Sequence, residues 1–177
     1  MSGNVTLIVS GAPLTARVPD LVRALLEAGW TVSVVATPSA RPWLDEDAVR
    51  DLTGAPPRVE FRDPGQPKQA GVAQAVVVCP ATFNTVNKAA GGAADTYALA
   101  QLCEALGEGV PVVAVPFVND KLWGHPAWSH SLAVLQSAGM VLLDVHTGKL
   151  GPVAVQSGSG PEVVARFDPA WVVDRLR

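Results

Sequence analysis

Two short segments concentrate the hydroxyl, amide and aromatic side chains of this 177-residue chain. They are Cys79-Pro80-Ala81-Thr82-Phe83-Asn84-Thr85 and Pro116-Phe117-Val118-Asn119-Asp120-Lys121-Leu122-Trp123. Each directly follows a run of Val and Ala, the pattern of a strand buried on both faces of a parallel sheet. In such sheets ligands sit just beyond the carboxyl ends of the strands, so the two segments mark a site. Thr82, Asn84 and Thr85 suit the polar edge of a planar heterocycle, and they equally suit the capping of a helix that starts there. A third polar turn, Ser10-Gly11-Ala12, follows the first apolar run, and Thr37 and Ser39 end the second. Backbone N–H groups at such a turn and two nearby hydroxyls can hold a phosphate; a plain hydroxyl-stabilised turn explains the same residues. The turn is neither G-x-G-x-x-G nor a Walker A loop, so no dinucleotide or nucleoside triphosphate motif is present.

The elements that must position these loops alternate along the whole chain. Strands are expected at Val5–Val9, Thr31–Ala36, Ala75–Val78, Val110–Val115 and Met140–Val145, with a short one at Arg58–Phe61. Helices are expected at Ala16–Ala28, Asp45–Leu52, Thr85–Ala90, Thr96–Leu106, Pro126–Ser137 and Pro169–Leu176. Thr53–Ala70 and Gly148–Pro161 read as irregular loops, rich in Pro and Gly. Strands alternating with helices predict one doubly wound α/β domain over residues 1–177, a Rossmann-like, flavodoxin-like three-layer fold with a parallel sheet. A hydrophobic fraction of 49% and a mean hydropathy of +0.27 fit strands buried on both faces plus an oligomer interface. No apolar run reaches the roughly 20 residues of a membrane helix, and no basic leader precedes Val5–Val9. A net charge of −3 without a Lys/Arg cluster argues against a nucleic-acid partner. Cys79 and Cys103 lack metal-ligand spacing, which leaves no metal site and predicts reduced thiols in a cytoplasmic protein.

The motifs carry a resemblance. Pro80-Ala81-Thr82-Phe83-Asn84-Thr85 followed by Lys88-Ala89-Ala90-Gly91-Gly92-Ala93-Ala94-Asp95 resembles the P-A-S/T-A-N-T…K-x-A-x-G-x-A-D signature of the flavin-containing cysteine decarboxylases. That family includes phosphopantothenoylcysteine decarboxylase and the peptidyl-cysteine decarboxylases of lantibiotic biosynthesis. Pro116–Trp123 is similar to its P-x-M-N-x-x-M-W motif, with Val118 and Leu122 in the two Met positions. The resemblance spans roughly residues 5 to 150. It implies FMN held between subunits of a homotrimer, sometimes assembled further into a dodecamer. Ser10, Gly11, Ala12, Thr37 and Ser39 would then hold the phosphate and ribityl chain. Pro80, Ala81, Thr82, Asn84 and Thr85 would face the phosphate, ribityl or ring atoms. Asn119, with Lys121 and Trp123, would contact the substrate, Asn119 through its carboxylate. The implied chemistry is oxidation of a cysteine thiol to a thioaldehyde, with hydride passing to the flavin and carbon dioxide lost afterwards.

One departure stands against these matches. The family carries an essential His about a dozen residues before the P-A-T-A-N-T loop, and here that segment is Asp63-Pro64-Gly65-Gln66-Pro67-Lys68-Gln69. Gln66 cannot accept a proton. Of His125, His130 and His146, His125 stands nearest the second motif and is the candidate for a relocated base. Two functions are therefore expected: an FMN-dependent decarboxylase acting on a cysteine-containing peptide or small thiol, or an FMN-binding protein without that activity, acting as an oligomeric scaffold or partner. Flavin prenyl transfer is a weaker third, because the expected Arg- and Glu-rich C-terminal pattern is absent. The family's late clamp cysteine also has no counterpart in Gly148–Pro161. Trp43 and Trp128 are candidates for a subunit contact, and Trp30 and Trp171 for ordinary packing.

Overall fold

The computed structural model describes residues 3–67 and 73–177. Asn4–Val9 forms β1, whose Val5, Leu7, Ile8 and Val9 are buried. A 3₁₀ turn at Pro13–Arg17 leads into α1, Val18–Glu27. Pro19 is tolerated in the first turn of α1, where no intrahelical N–H is needed. Leu21, Val22 and Leu25 form its buried face. Gly29, at φ +89°, ends the helix: its N–H donates to the Leu26 carbonyl while that of Trp30 donates to Leu25. Thr31–Ala36 forms β2, a second 3₁₀ turn spans Pro38–Trp43, and α2 runs over Glu46–Thr53. Asp45 caps α2, its Oδ1 accepting the Ala48 N–H at 2.9 Å.

After the long loop come β3 (Ala75–Ala81), α3 (Phe83–Ala90), α4 (Tyr97–Glu108) and β4 (Val112–Pro116). A short α5 (Asp120–Trp123), α6 (Pro126–Ser137), β5 (Val141–Leu142), α7 (Gly160–Arg166) and α8 (Ala170–Val173) complete the order. The strands pair in parallel in the order β2-β1-β3-β4-β5. One face packs α1, α2, α7 and α8 through residues such as Leu25, Val49, Val163 and Val172. The other packs α3, α4 and α6 through Val86, Leu102, Trp128 and Leu135. This is the doubly wound three-layer arrangement expected from the alternation of elements, and β3, buried at every residue, is its centre.

The strand order changes direction between β1 and β3, the place where such sheets open a ligand crevice. Backbone bonds align the strand ends there. Ser10 N–H donates to Pro80 O at 3.2 Å, Thr37 N–H to Val9 O at 2.9 Å, and Phe117 N–H to Ala81 O at 2.9 Å.

Several boundaries differ from the sequence expectation. β3 continues through the cis Cys79–Pro80 bond to Ala81, with its register shifted between Val78 and Ala81. Pro80 brings no N–H, so the ladder must break there, but the strand does not end. The strand expected at Met140–Val145 shrinks to Val141–Leu142, because the Asp144 carboxylate turns the chain by accepting the His146 N–H at 2.9 Å and the Thr147 hydroxyl at 2.6 Å. Arg58–Phe61 supplies a single bridge, Arg58 to Val35, rather than a strand. Pro169–Leu176 holds only the four helical residues of α8, and the stretch read as irregular to Pro161 already begins α7 at Gly160. Part of the Thr53–Ala70 loop, Lys68–Ala70, lies outside the described residues.

Candidate functional site

At the carboxyl ends of β1–β4 the loops enclose a cleft of about 1010 Å³, at the upper end of the roughly 300–1,000 Å³ of small-molecule sites. Gly11 brings two of these loops into contact. A Cβ there would collide with the Ser39 backbone carbonyl, so no other residue lets the β1 and β2 loops approach this closely. Thr37 and Ser39 lie beside it with their hydroxyls 3.1 Å apart.

A chain of hydroxyls joins β1 to β3. Thr82 caps α3, its Oγ1 accepting the Thr85 N–H at 3.4 Å while donating to Thr85 Oγ1 at 3.2 Å. Thr85 Oγ1 in turn is hydrogen-bonded to Ser10 Oγ at 2.8 Å, both residues being buried. The Ser10 carbonyl accepts from Thr15 Oγ1 at 2.7 Å. The capping reading therefore holds for Thr82, whereas Asn84 is exposed and has no hydrogen bond to the described side chains. Its amide is free for a ligand. The first N–H groups of the eight-residue α3 open beside it, and they favour an anion.

The opposite wall comes from β4 and its loop. Phe117, Val118, Asn119 and Leu122 line it, facing Trp43 and Leu99. Asn119 caps α5, its Oδ1 accepting the Leu122 N–H at 2.9 Å. That leaves its Nδ2 hydrogens as free donors, the right polarity for a carboxylate. Lys88 is the one ionisable side chain on the wall among the described residues, and its ammonium is 2.7 Å from the Asp95 carboxylate.

The structure thus gathers Gly11, Ala12, Thr37, Ser39, Thr82, Asn84, Thr85 and Asn119 around one cleft. Ser10 stands behind Thr85, and Pro80 and Ala81 are buried in β3 below the wall. Lys121, Trp123 and His125 are not on the wall of the single chain. Trp123 packs on Trp128 with ring centroids 5.2 Å apart, and Trp128 is fully buried rather than available for a subunit contact. His125 caps α6, accepting the Ala127 N–H at its Nδ1 (3.1 Å). Its ring stands edge-on to Phe83 at 5.5 Å, in a second, smaller hollow of about 340 Å³ between α3 and α6. Phe83 therefore separates it from the cleft. Asp63 and Gln66 bond to each other in an exposed turn, at 3.2 Å between the Gln66 amide and the Asp63 carboxylate.

Cys79 lies near the end of β3 but is fully buried, and burial pushes its thiol well above the ordinary value; Cys103 is shifted the same way for the same reason. Neither supplies a thiolate at neutral pH. Sequence reasoning did not assign the last part of the cleft, the segment Val155–Gly160. Composition marks this stretch only as an irregular Gly-rich loop, and the partners of Val155 and Ser157 lie more than thirty residues away.

Comparison with known proteins agrees with this geometry. Residues 2–162 match the flavoprotein family. The coenzyme A biosynthesis bifunctional protein CoaBC of Mycobacterium tuberculosis (strain H37Rv) is 35% identical over 156 residues, covering 86% of this chain and 36% of that protein. CoaBC of Escherichia coli (strain K12) is 27% identical over 177 residues, covering 97% and 41%. The chain spans less than half the length of these curated relatives. Among solved structures, the FMN-dependent cysteine decarboxylase TvaF from thioviridamide biosynthesis superposes with a TM-score of 0.68 at 25% identity, covering 80% of this chain and 90% of that one. A PPC decarboxylase variant complexed with pantothenoylaminoethenethiol shares the fold at a TM-score of 0.73 and 21% identity, covering 99% and 98%. The sheet order, the cleft at its switch point and the match over residues 2–162 together place this chain in the flavoprotein family.

Proposed function

We propose that this chain is a single domain that binds FMN in the cleft and acts as a decarboxylase on a cysteine-bearing peptide or small thiol. The observation that carries this reading is the contrast between the two cleft walls. One offers hydroxyls, backbone N–H groups and the start of α3, which suit a phosphate and a polyol chain. The other offers Phe117, Val118 and Leu122, which suit a flat ring system, and then the free Asn119 amide.

The residues fit FMN in size and chemistry. Gly11, Thr37, Ser39 and Thr82 would hold the phosphate and ribityl chain, Asn84 the polar edge of the ring, and Asn119 Nδ2 a substrate carboxylate. Bound FMN supplies an acceptor for the two electrons and proton that leave the thiol-bearing carbon. The chain's own part is orientation. Asn119 holds the carboxylate that will leave as carbon dioxide, and the apolar wall keeps water from the reacting carbon. No described side chain on the wall can take the thiol proton, since Lys88 is a paired ammonium. That proton passes to solvent or to a group of a neighbouring copy.

Trp43 at 50% exposure and Leu122 at 42% stand at the cleft mouth and support a homo-oligomer, a trimer or dodecamer, in which another copy covers them. Among the described residues no helix is long and apolar enough to cross a membrane; we place the protein in the cytoplasm. The alternative, an FMN-binding scaffold without activity, draws on the absent family His, but it leaves the Asn119 wall without a role. Anaerobic mixing of the FMN-loaded protein with a peptide ending in cysteine tests the choice. Flavin bleaching and a product lighter by one carbon dioxide and two hydrogens are expected, the two hydrogens balancing the reduced flavin. A stable yellow protein inert to every cysteine-like thiol supports the scaffold, and a colourless protein that cannot be reconstituted sinks both.

A further inference from the structure

Val155–Gly160 crosses the cleft mouth as a strap. Its first end is stitched to the Asn119 loop: Val155 N–H donates to Val118 O at 2.8 Å, and Asp120 N–H donates to Val155 O at 2.9 Å. Its far end is Gly160, where an added Cβ would touch both Phe117 and Pro13 at 4.0 Å, so the strap reaches the loop after β1. There α7 takes over, held by Arg17, whose guanidinium donates to the Val164 carbonyl at 2.7 Å. Between these anchors Gln156, Ser157 and Gly158 line the cleft, and Gly158 turns at φ +91°.

One side chain from the opposite wall fastens the middle. Asp120 Oδ1 accepts both the Ser157 N–H at 3.0 Å and the Ser157 hydroxyl at 2.5 Å. Asp120 contributes nothing to the cleft lining itself. Hydrogen bonds to a charged acceptor are the strong kind. Ser159 Oγ bonds only within the strap, to Gln156 O at 2.8 Å. Asp120 is therefore the one side-chain tie between the strap's middle and the α5 wall among the described residues.

We propose that Asp120 is a positioning residue whose carboxylate latches Ser157, fixing Gln156–Gly158 over the Asn119 end of the cleft and so setting the affinity for the thiol substrate. This rests on reading the cleft as an FMN and thiol site. The strap is then a built wall of the cleft. It acts on the substrate end, because the phosphate end is framed by Gly11, Ser39 and Thr82, which the latch does not touch.

The test compares wild type with Asp120→Ala, Asp120→Asn and Ser157→Ala. Amide hydrogen exchange over residues 155–159 is read on the protein without added ligand. FMN affinity, and KM and kcat for a cysteine-ended peptide, are read on the loaded protein. In Asp120→Ala we expect exchange of the Ser157 N–H to rise about tenfold or more, as for loss of a charged hydrogen bond. KM should rise about tenfold with kcat and FMN affinity within about twofold. Asp120→Asn, which keeps an acceptor oxygen, should recover part of both effects, and Ser157→Ala should show the exchange increase in weaker form. Unchanged exchange of the Ser157 N–H overturns the latch. Loss of FMN affinity in step with KM overturns the positioning role in favour of general loosening. If wild type takes up no FMN, the functional reading fails, while the exchange data still decide the latch.

Discussion

The two ends of the cleft are built on different principles. At the β1/β3 end Ser10, Thr37 and Thr85 are buried, and the groups fix one another: Ser10 by Thr85, Thr85 by Thr82, and Gly11 by the Ser39 backbone. At the α5 end they are exposed. Asn119 and Asp120 start a helix of four residues, and a strap from far along the chain completes the wall. A buried hydroxyl network loses much when one member is removed, because the remainder stay desolvated. An exposed wall loses only the contact itself. The first end is suited to hold a cofactor for the life of the protein, the second to admit and release a substrate.

The largest effect should come from Gly11→Ala. The added methyl strikes backbone rather than a movable side chain, so the β1 and β2 loops must separate. Denaturant unfolding should show a loss of about 3 kcal/mol or more, the upper end of overpacking, and FMN should be retained poorly through purification. An FMN-replete, equally stable variant would erase the proposed difference between the two ends. Next comes Thr85→Val, which keeps shape and strands the Ser10 hydroxyl. The expected cost is about 1–3 kcal/mol by the same measurement, with FMN affinity reduced. Lys88→Met removes an ion pair in which Lys88 is 42% and Asp95 55% exposed, so denaturant unfolding should show no clear change. A large loss of FMN in Lys88→Met would move the phosphate contact to the lysine.

The smallest effect is one of pH. The Ser157 hydroxyl and N–H hold Asp120 below its ordinary value of 3.8, and the neighbouring Lys121 acts in the same direction. A carboxylate whose folded value is lowered gives its full contribution above the ordinary value and loses it as pH falls through the lowered one. After correction for intrinsic amide rates, exchange protection over 155–159 should therefore stay level from pH 8 to about pH 5. It should decline only in stronger acid, where Asp20, lowered chiefly by Arg17, also loses its pairing. A decline near neutrality would point to a different group holding the strap.

The buried end was the more legible in the sequence. Val-rich runs followed by Ser10-Gly11 and Pro80–Thr85 announce strands and the loops beyond them, and β2 falls on Thr31–Ala36 as read. Local patterns fail where distant contacts decide. His125 stands two residues after Trp123, yet Phe83, from a helix forty residues earlier in the chain, comes between it and the cleft. Leu143–Val145 continues an apolar run but leaves the sheet, because Asp144 turns the backbone toward Lys149. Gly160-Pro161 reads as a breaker, although Pro in a first helical turn gives up no bond, and α7 starts there. The strap was visible only as composition. Its bonds to Val118 and Asp120 join residues about 37 apart, a pairing that carries no periodic signal.

The burial of Cys79 has a chemical consequence. Its sulfur lies in the central strand two residues before its end, close below the cleft, and the only other cysteine, Cys103, lies on α4 with its thiol raised by burial as well. A guest carrying sulfur or a reactive carbonyl meets no nucleophilic sulfur on the host. Mixed disulfides and self-alkylation are thereby disfavoured, which suits the proposed thiol substrate.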